Sequence, residues 1–197
     1  MYSYMLDTYG RKFVDPAIRV AATQLVHRGF NANQVTICAL VLGCCSGLLV
    51  YLGQSGWALV TLWLSGYLDA VDGAMARLTK PSTWGTVLDV TFDRLVEISI
   101  IWGLAWRYPE ATWALLLLST AIIVSMTVFL TVGAVSEHKG MKTFYYQPGL
   151  AERTEGFICF SLMIFFHQYL TVLTLIFFAM IVFTVGQRLR EAQQILN

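Results

Sequence analysis

Long apolar stretches dominate this sequence and restrict what the chain can fold into. A helix needs roughly 20 mostly apolar residues to cross the hydrocarbon layer of a bilayer. Six such segments are predicted, covering residues 34–53, 57–78, 85–106, 111–134, 153–168 and 169–188. Hydrophobic residues make up 57% of the 197 residues and charged residues only 13%, whereas soluble domains carry about 25% charged residues. The sequence therefore predicts an all-α integral membrane protein with six transmembrane helices.

The segment before the first span has a different pattern. Residues 12–30 place apolar side chains at roughly helical spacing with charged side chains between them. This spacing predicts a juxtamembrane amphipathic helix at the membrane interface, and a helix packed on the bundle outside the membrane is the alternative. The mixture of charged and apolar residues over 1–32 does not suit a cleaved signal peptide. We expect a single membrane domain over residues 1–197, with the six-helix bundle over 34–188.

Lysine and arginine are concentrated on one side of the predicted bundle. The N-terminal segment, the loops after the second and fourth spans and the C-terminus carry these residues: Arg11, Lys12, Arg19, Arg28, Arg77, Lys80, Lys139, Lys142, Arg153, Arg188 and Arg190. The opposite side carries only Arg107. Because positive residues favour the cytoplasmic side, both termini are predicted to face the cytoplasm from the inner (cytoplasmic) membrane. A net charge of +1 without a basic run predicts no nucleic-acid binding.

Four aspartates lie where the second predicted span ends and the third begins. Asp69 and Asp72 are three residues apart, and Asp89 and Asp93 are four apart, so each pair occupies one helix face. The loop 79–84 is short, so the two helices should be antiparallel neighbours whose acidic faces point at each other. Charged residues within membrane segments are costly and mark functional sites.

A cluster of carboxylates requires cations, because like charges repel strongly where the dielectric constant is low. Oxygen ligands suit hard ions such as Mg²⁺ or Mn²⁺, and no His or Cys shows a spacing typical of zinc sites. The alternative is a pair of structural salt bridges to Arg77 and Arg94, which would leave excess negative charge. Glu97, one turn past Asp93, is expected to pair with Arg94.

Small residues lie beside the acidic positions, as a nucleotide site requires. Gly73 follows Asp72 and allows close approach to the backbone. Gly85 opens the third span, and Arg77 lies one turn beyond Gly73, where its delocalised charge can face an anionic group.

These residues resemble the signature of the CDP-alcohol phosphotransferases, also called CDP-alcohol phosphatidyltransferases. In this sequence the signature reads Asp69-x-x-Asp72-Gly73-x-x-Ala76-Arg77, then Gly85-x-x-x-Asp89-x-x-x-Asp93. The spacer between its two halves is one residue shorter than is usual in the family. The stretch Asn33-Gln34-Val35-Thr36 is similar to the family's Pro-Asn-x-x-Thr sequence before the first span, with Ala32 in the proline position.

The resemblance implies a function for each matching position. Asp69, Asp72 and Asp89 would ligate Mg²⁺ or Mn²⁺, with Asp93 nearby or bridging a second ion. The residues implied to bind the cytidine nucleotide are Asn33, Thr36, Asp69, Asp72, Gly73, Arg77 and Gly85. Asp93 would also be the catalytic base that deprotonates the acceptor hydroxyl, which attacks the phosphorus attached to the lipid, and CMP leaves. The implied partners are a CDP-lipid donor such as CDP-diacylglycerol, a small polar alcohol, membrane lipids and a second copy of the chain in a homodimer.

The longest polar stretch on the predicted cytoplasmic side covers residues 135–156 and should bind the acceptor. Its candidate acceptor-binding residues are Lys139, Lys142 and Arg153. They could hold a phosphate group, or they could serve only as positive anchors of the topology. Residues 149–155 resemble the inositol-phosphate branch of the family, although a basic residue usual near Gly156 is absent. A phosphorylated polyol (inositol phosphate or glycerol 3-phosphate) is therefore the predicted acceptor, with serine or another small alcohol as the alternative.

Two further function classes are compatible with carboxylates in membrane helices. A transporter or channel would spread them through the depth of the bilayer or break its helices at the midplane, whereas these four cluster at one boundary. A non-catalytic membrane scaffold gives no reason for the spacing of the carboxylates and glycines.

Overall fold

A computed structural model of the protein describes residues 6–138 and 153–196. Every regular element within those two ranges is a helix, as the sequence predicts. The α-helices are α1 Leu6–His27, α2 Ala32–Tyr51, α3 Ser55–Leu78, α4 Thr83–Arg107, α5 Thr112–His138, α6 Arg153–Phe165 and α7 Leu170–Leu196. Single turns of 3₁₀ helix, Pro109–Ala111 and His167–Tyr169, precede α5 and α7.

The six predicted spans correspond in order to α2 through α7. Within residues 6–138 and 153–196, three segments are long and apolar enough to cross a membrane by length and composition: Ala32–Tyr51, Pro109–Val135 and His167–Gln194. Helices α3 and α4 have sufficient length but carry the carboxylates. The 13 residues of α6 extend only about 20 Å, which is shorter than the roughly 30 Å hydrocarbon layer. A multi-pass membrane protein is thus supported, and the number of six spans stays a prediction.

Local sequence determines where the helices of the first half begin and turn. The backbone N–H of Asn31 donates to the side-chain oxygen of Gln34 at 3.0 Å, which holds the first turn of α2. Ser82 Oγ accepts from the backbone N–H of Gly85 at 2.9 Å at the start of α4. The turn between α2 and α3 passes through Gly53 with φ +76°, a left-handed conformation that favours glycine.

The described residues up to Pro109 form one compact unit in which α2 packs along both α3 and α4. Ser65 Oγ donates to the Ala39 carbonyl at 2.7 Å and Ser46 Oγ to the Ala58 carbonyl at 2.8 Å. Because the partner number falls along α3 as it rises along α2, these two helices are antiparallel. Within the described residues α3 and α4 share no comparably long interface, so their common neighbour α2 holds them in place.

Helix α4 contacts α2 through a glycine seam formed by Gly43, Gly47 and Gly103. A Cβ at Gly47 would overlap the carbonyl of Ser99, and a Cβ at Gly103 would overlap the carbonyl of Gly47. A Cβ at Gly43 would overlap the side chain of Val96. The paired residue numbers rise together, so α2 and α4 are parallel. Small residues allow membrane helices to approach until their backbones touch, and this close approach fixes the register of the two helices.

The described residues from Glu110 onward form the second unit, in which α5 packs along α7 and α6 packs on α7. The rings of Phe160 and Phe177 meet edge to face at 5.3 Å in its core. Arg188, which the sequence places among the positive residues of the predicted cytoplasmic side, is only 8% exposed. Its guanidinium donates to Ser125 Oγ at 3.1 Å and to the Ser125 carbonyl at 3.3 Å, and it lies over the Phe129 ring. Arg188 therefore joins α7 to α5.

Candidate active site

The carboxylates of α3 and α4 form the most concentrated group of potential ligands in the first unit. Asp69 and Asp72 lie one turn apart on α3 and are 8% and 5% exposed. Asp89 reaches them from α4, and one oxygen of each of the three side chains lies within 4.8 Å of the others. Asp89 is partly buried. Three converging oxygen donors, two of them buried, suit a hard divalent cation such as Mg²⁺ or Mn²⁺. The predicted convergence of the two acidic faces is therefore present.

Asp93 occupies a different place from the other three aspartates. It lies one turn beyond Asp89 on α4 and is partly buried. Among the described residues, the group of acidic side chains with that mutual spacing contains Asp69, Asp72 and Asp89 but not Asp93. The structure thus places Asp93 beside the cluster of three, and its predicted roles as a ligand and as the base stay predictions.

The charged pair that follows Asp93 is present as expected. Arg94 and Glu97 form an ion pair of 2.6 Å within α4, with both side chains partly buried. The guanidinium of Arg94 is thus directed along α4 to Glu97. This pairing argues against the alternative in which Arg94 neutralises the aspartate cluster.

The predicted nucleotide residues gather where α2 and α4 begin and α3 ends. Asn33 Oδ1 lies 3.4 Å from the position that a Cβ on Gly85 would occupy, so these two residues are neighbours. The Arg77 side chain folds back along α3. One of its guanidinium nitrogens lies 3.6 Å from the position that a Cβ on Gly73 would occupy. The backbone at Gly73 and at Gly85 is therefore not covered by a side chain of its own, and it lies beside Arg77 and Asn33 respectively.

Thr36 completes the group of predicted residues on α2. It is buried, and its Oγ1 donates to the Ala32 carbonyl at 3.0 Å within the first turns of the helix. In the antiparallel register of α2 and α3, in which Ala39 lies beside Ser65, Thr36 is level with Asp69. In the parallel register of α2 and α4, it is level with Asp89. The hydroxyl therefore lies in the layer of the carboxylates.

Helix direction adds to the electrostatics of this layer. Because α2 and α4 are parallel, their N-terminal ends are at the same end of the unit, and the acidic residues lie at that end. The N-terminus of a helix carries a partial positive charge of about half an elementary unit. The C-terminus of α3, which carries the opposite partial charge, lies at the same end, so the net contribution is that of about one helix N-terminus. Because this contribution falls off within one turn, it favours anionic ligands at the helix ends and does not neutralise the carboxylates.

The predicted acceptor residues belong to the other half of the chain. Lys139 and Lys142 lie outside the described residues. Arg153 is the first residue of α6, and its side chain also lies outside what the structure describes. The role of all three in acceptor binding stays a prediction.

One feature near the site was not predicted from the sequence. It is the glycine seam, for which the spacing of Gly43 and Gly47 in an apolar segment is a recognisable signal. The packing of α1 on α3 corresponds to the alternative in which this helix packs on the bundle. Ile18 and Ala22 of α1 are buried in one hydrophobic cluster with Val71 and Met75 of α3, which gives the apolar face of α1 a protein partner.

Known proteins share the sequence region that contains the aspartate cluster. Residues 30–187 match the sequence model of the CDP-alcohol phosphatidyltransferase family. The phosphatidylinositol phosphate synthase of Streptomyces avermitilis is 36% identical over 107 residues, which cover 53% of this chain and 43% of that protein. The phosphatidylinositol phosphate synthase of Corynebacterium glutamicum is 32% identical over 161 residues, which cover 78% of this chain and 71% of that protein. The chain thus spans less than half the length of the Streptomyces relative.

Solved structures show the same fold. A crystal structure of Mycobacterium tuberculosis phosphatidylinositol phosphate synthase with CDP-DAG bound superposes with a TM-score of 0.71 at 25% identity, covering 89% of this chain and 92% of that one. A second structure of that protein, in complex with manganese and citrate, gives the same TM-score and identity over 89% and 88% of the two chains. The match over residues 30–187 includes every position of the aspartate signature, and the chain belongs to the CDP-alcohol phosphatidyltransferase family.

Proposed function

We propose that the protein is a metal-dependent membrane transferase that moves a phosphatidyl group from CDP-diacylglycerol to the hydroxyl of an inositol phosphate and releases CMP. The observation that carries this proposal is the convergence of Asp69, Asp72 and Asp89 on one point at the end of α3 and the start of α4. These are signature positions of the family, and a transporter would instead need its carboxylates along a path through the bilayer.

The chemistry divides among the residues of the first unit. A bound Mg²⁺ or Mn²⁺ would supply positive charge to the diphosphate of the donor. Asp69, Asp72 and Asp89 would hold this ion. Gly73 and Gly85 leave room for the nucleotide to approach the backbone, and Arg77 and Asn33 offer donors at its edges.

Asp93 would act as the general base. It lies one turn from Asp89 and outside the tight cluster, so it can accept a proton without giving up an ion ligand. The acceptor hydroxyl would lose its proton to this carboxylate as its oxygen bonds to the lipid-linked phosphorus. The bond from that phosphorus to the oxygen of CMP breaks at the same time.

The acceptor assignment rests on two lines of support. The relatives described above are named phosphatidylinositol phosphate synthases, and residues 149–155 resemble the inositol-phosphate branch of the family. Lys139, Lys142 and Arg153 would hold the phosphate of the acceptor through charge-assisted hydrogen bonds. We also propose six spans in the cytoplasmic membrane with both termini and the site facing the cytoplasm, and a homodimer as the working assembly.

A product assay tests both the reaction class and the acceptor. Purified protein in lipid nanodiscs is given CDP-diacylglycerol with inositol phosphate, glycerol 3-phosphate, inositol, serine or no acceptor, and products are identified by mass spectrometry. The expected result is phosphatidylinositol phosphate plus CMP, abolished by chelation and restored by Mg²⁺ or Mn²⁺ but not by Zn²⁺. A product formed from serine or glycerol 3-phosphate would show that the acceptor is that alcohol instead of inositol phosphate. The proposed reaction class would remain unchanged. Full activity after exhaustive chelation would contradict the metal-dependent mechanism.

The variant Asp72→Asn links that assay to the cluster. The change keeps the shape of the side chain and removes its charge, so the protein should bind Mn²⁺ more weakly and release CMP more slowly. Glu110→Gln, an exposed carboxylate in the second unit, serves as the matched control and should leave both quantities unchanged. Equal Mn²⁺ affinity in Asp72→Asn and the parent would contradict the proposal that this cluster binds the metal ion.

A further inference from the structure

One hydrophobic cluster connects α1 to the helix segments that form the candidate metal site. Its buried members are Ile18, Ala22, Val35, Val71, Ala74 and Met75. They come from α1, from the first turn of α2 and from the stretch of α3 that contains Asp69 and Asp72. The cluster therefore lies directly behind the carboxylates.

Helix α3 has an apolar face and an acidic face, which contact different parts of the protein. At 3.6 residues per turn, Val71 and Ala74 project roughly away from the side of α3 that carries Asp69 and Asp72, and Met75 lies at the edge between the two sides. Val71 and Met75 are fully buried, at 0% exposure. The apolar face of α3 thus packs in the cluster with α1 while its acidic face is directed to Asp89.

The fit between α1 and α3 is close at Ala22. Its side chain is 0% exposed, so the cluster offers no path to solvent for a larger group there. A second contact lies nearer the start of α1, where the Tyr67 hydroxyl donates to the Ala17 carbonyl at 3.4 Å. Two contacts along α1, one at Ala17 and one at Ala22, define the distance between α1 and α3.

We infer that α1 is a positioning element for the metal site, with Ala22 as the residue that sets how closely α1 supports the Asp69–Asp72 segment of α3. This inference rests on the proposed function, because it assigns α1 a role at the same site. Three carboxylates repel one another when no ion is bound, so their spacing has to be imposed by packing elsewhere. Groups that orient metal ligands by hydrogen bonds change ion affinity or activity by roughly tenfold to a hundredfold when they are altered, and we infer that packing behind the ligands acts on the same orientation.

The test compares Ala22→Leu with Val20→Leu in the full chain. Val20 lies on the same helix but is 58% exposed, so the control adds bulk to α1 without entering the cluster. The primary measurement is Mn²⁺ affinity by electron paramagnetic resonance in detergent or nanodiscs, which requires no turnover. The second is the Mg²⁺ concentration that gives half-maximal CMP release.

The expected result for Ala22→Leu is an Mn²⁺ affinity weaker by roughly tenfold, with turnover largely recovered at saturating metal. Val20→Leu should match the parent in both measurements. Because Ala22→Leu can fail to fold, Ala22→Val is measured in parallel and should show a smaller shift in the same direction. A folded Ala22→Leu or Ala22→Val protein with parental Mn²⁺ affinity overturns the inference while leaving the metal site intact. An absence of Mn²⁺ binding by the parent overturns the metal site itself, and the inference with it.

Discussion

One carboxylate oxygen of Asp69 lies within 4.8 Å of one carboxylate oxygen of Asp89, although the two residues belong to helices that each pack mainly along α2. Helix α2 sets the register of both helices. It is joined to α3 by the hydrogen bonds of Ser46 and Ser65, and it meets α4 where glycines allow the two backbones to touch. The geometry of the candidate metal site therefore depends on contacts that lie well away from it along α2.

We predict that Gly47→Ala destabilises the protein. The added Cβ overlaps the carbonyl of Ser99, and overpacking of this kind costs about 1–3 kcal/mol. The matched control is Gly56→Ala in α3, where a Cβ meets no heavy atom of the described residues within 4 Å. That change should leave stability equal or slightly higher, because alanine favours a helix by about 0.5–1 kcal/mol over glycine. Thermal unfolding in detergent measures both, and equal melting temperatures for Gly47→Ala and the parent would contradict the tight seam.

We predict that Asp93→Asn abolishes turnover while binding of the CDP-lipid in the presence of Mn²⁺ largely persists. The change removes a proton acceptor but leaves Asp69, Asp72 and Asp89 in place. CMP release and equilibrium binding are measured on the same preparation, with Glu110→Gln as the control. Near-normal CMP release from Asp93→Asn would exclude this carboxylate as the base.

We predict that Arg153→Ala raises the KM for the acceptor far more than the KM for the CDP-lipid. A charge-assisted hydrogen bond to a phosphate contributes about 1.5–3 kcal/mol, or roughly a ten- to hundredfold change in affinity. The comparison of the two KM values is an internal control, and Arg19→Ala on the exposed side of α1 controls for loss of a positive charge. If both KM values and kcat stay within about twofold, Arg153 is only a topology anchor, and the case for a phosphorylated acceptor weakens.

We predict that Arg188→Ala lowers the melting temperature whereas Arg190→Ala does not. Arg188 is buried against Ser125 and Phe129, and hydrogen bonds from a charged donor contribute about 1.5–3 kcal/mol. Arg190 lies two residues further on and is exposed, so its removal should cost little. Melting curves of the two variants and the parent decide the question, and equal losses for both arginines would show that general charge accounts for the effect.

The aspartate cluster could be predicted because its spacings are local. Asp69 and Asp72 share a face by helical geometry alone, and the short loop after α3 brings α4 back toward them. The apolar segments likewise predicted the helices α2 to α7, because a long apolar segment is visible in composition alone. Local pattern and tertiary structure agree at these positions.

The remaining features depend on tertiary contacts that no local pattern specifies. Gly103 is an ordinary glycine in an apolar helix until the parallel register places it against Gly47. Arg188 resembles any positive residue near a helix end, and only its contact with Ser125 shows that it is buried. The role of α2 as the common neighbour of α3 and α4 was missed because the short loop suggested a direct α3–α4 interface.

The glycine seam also limits how the protein can move. Packed helices slide past one another by small readjustments of their side chains. Gly47 and Gly103 have no side chain to readjust, and their backbones already touch. We therefore expect α2 and α4 to move together, with Asp89 at a constant distance from Thr36 and the start of α2. Any widening of the candidate site would then come from displacement of the other helices or of the connecting loops.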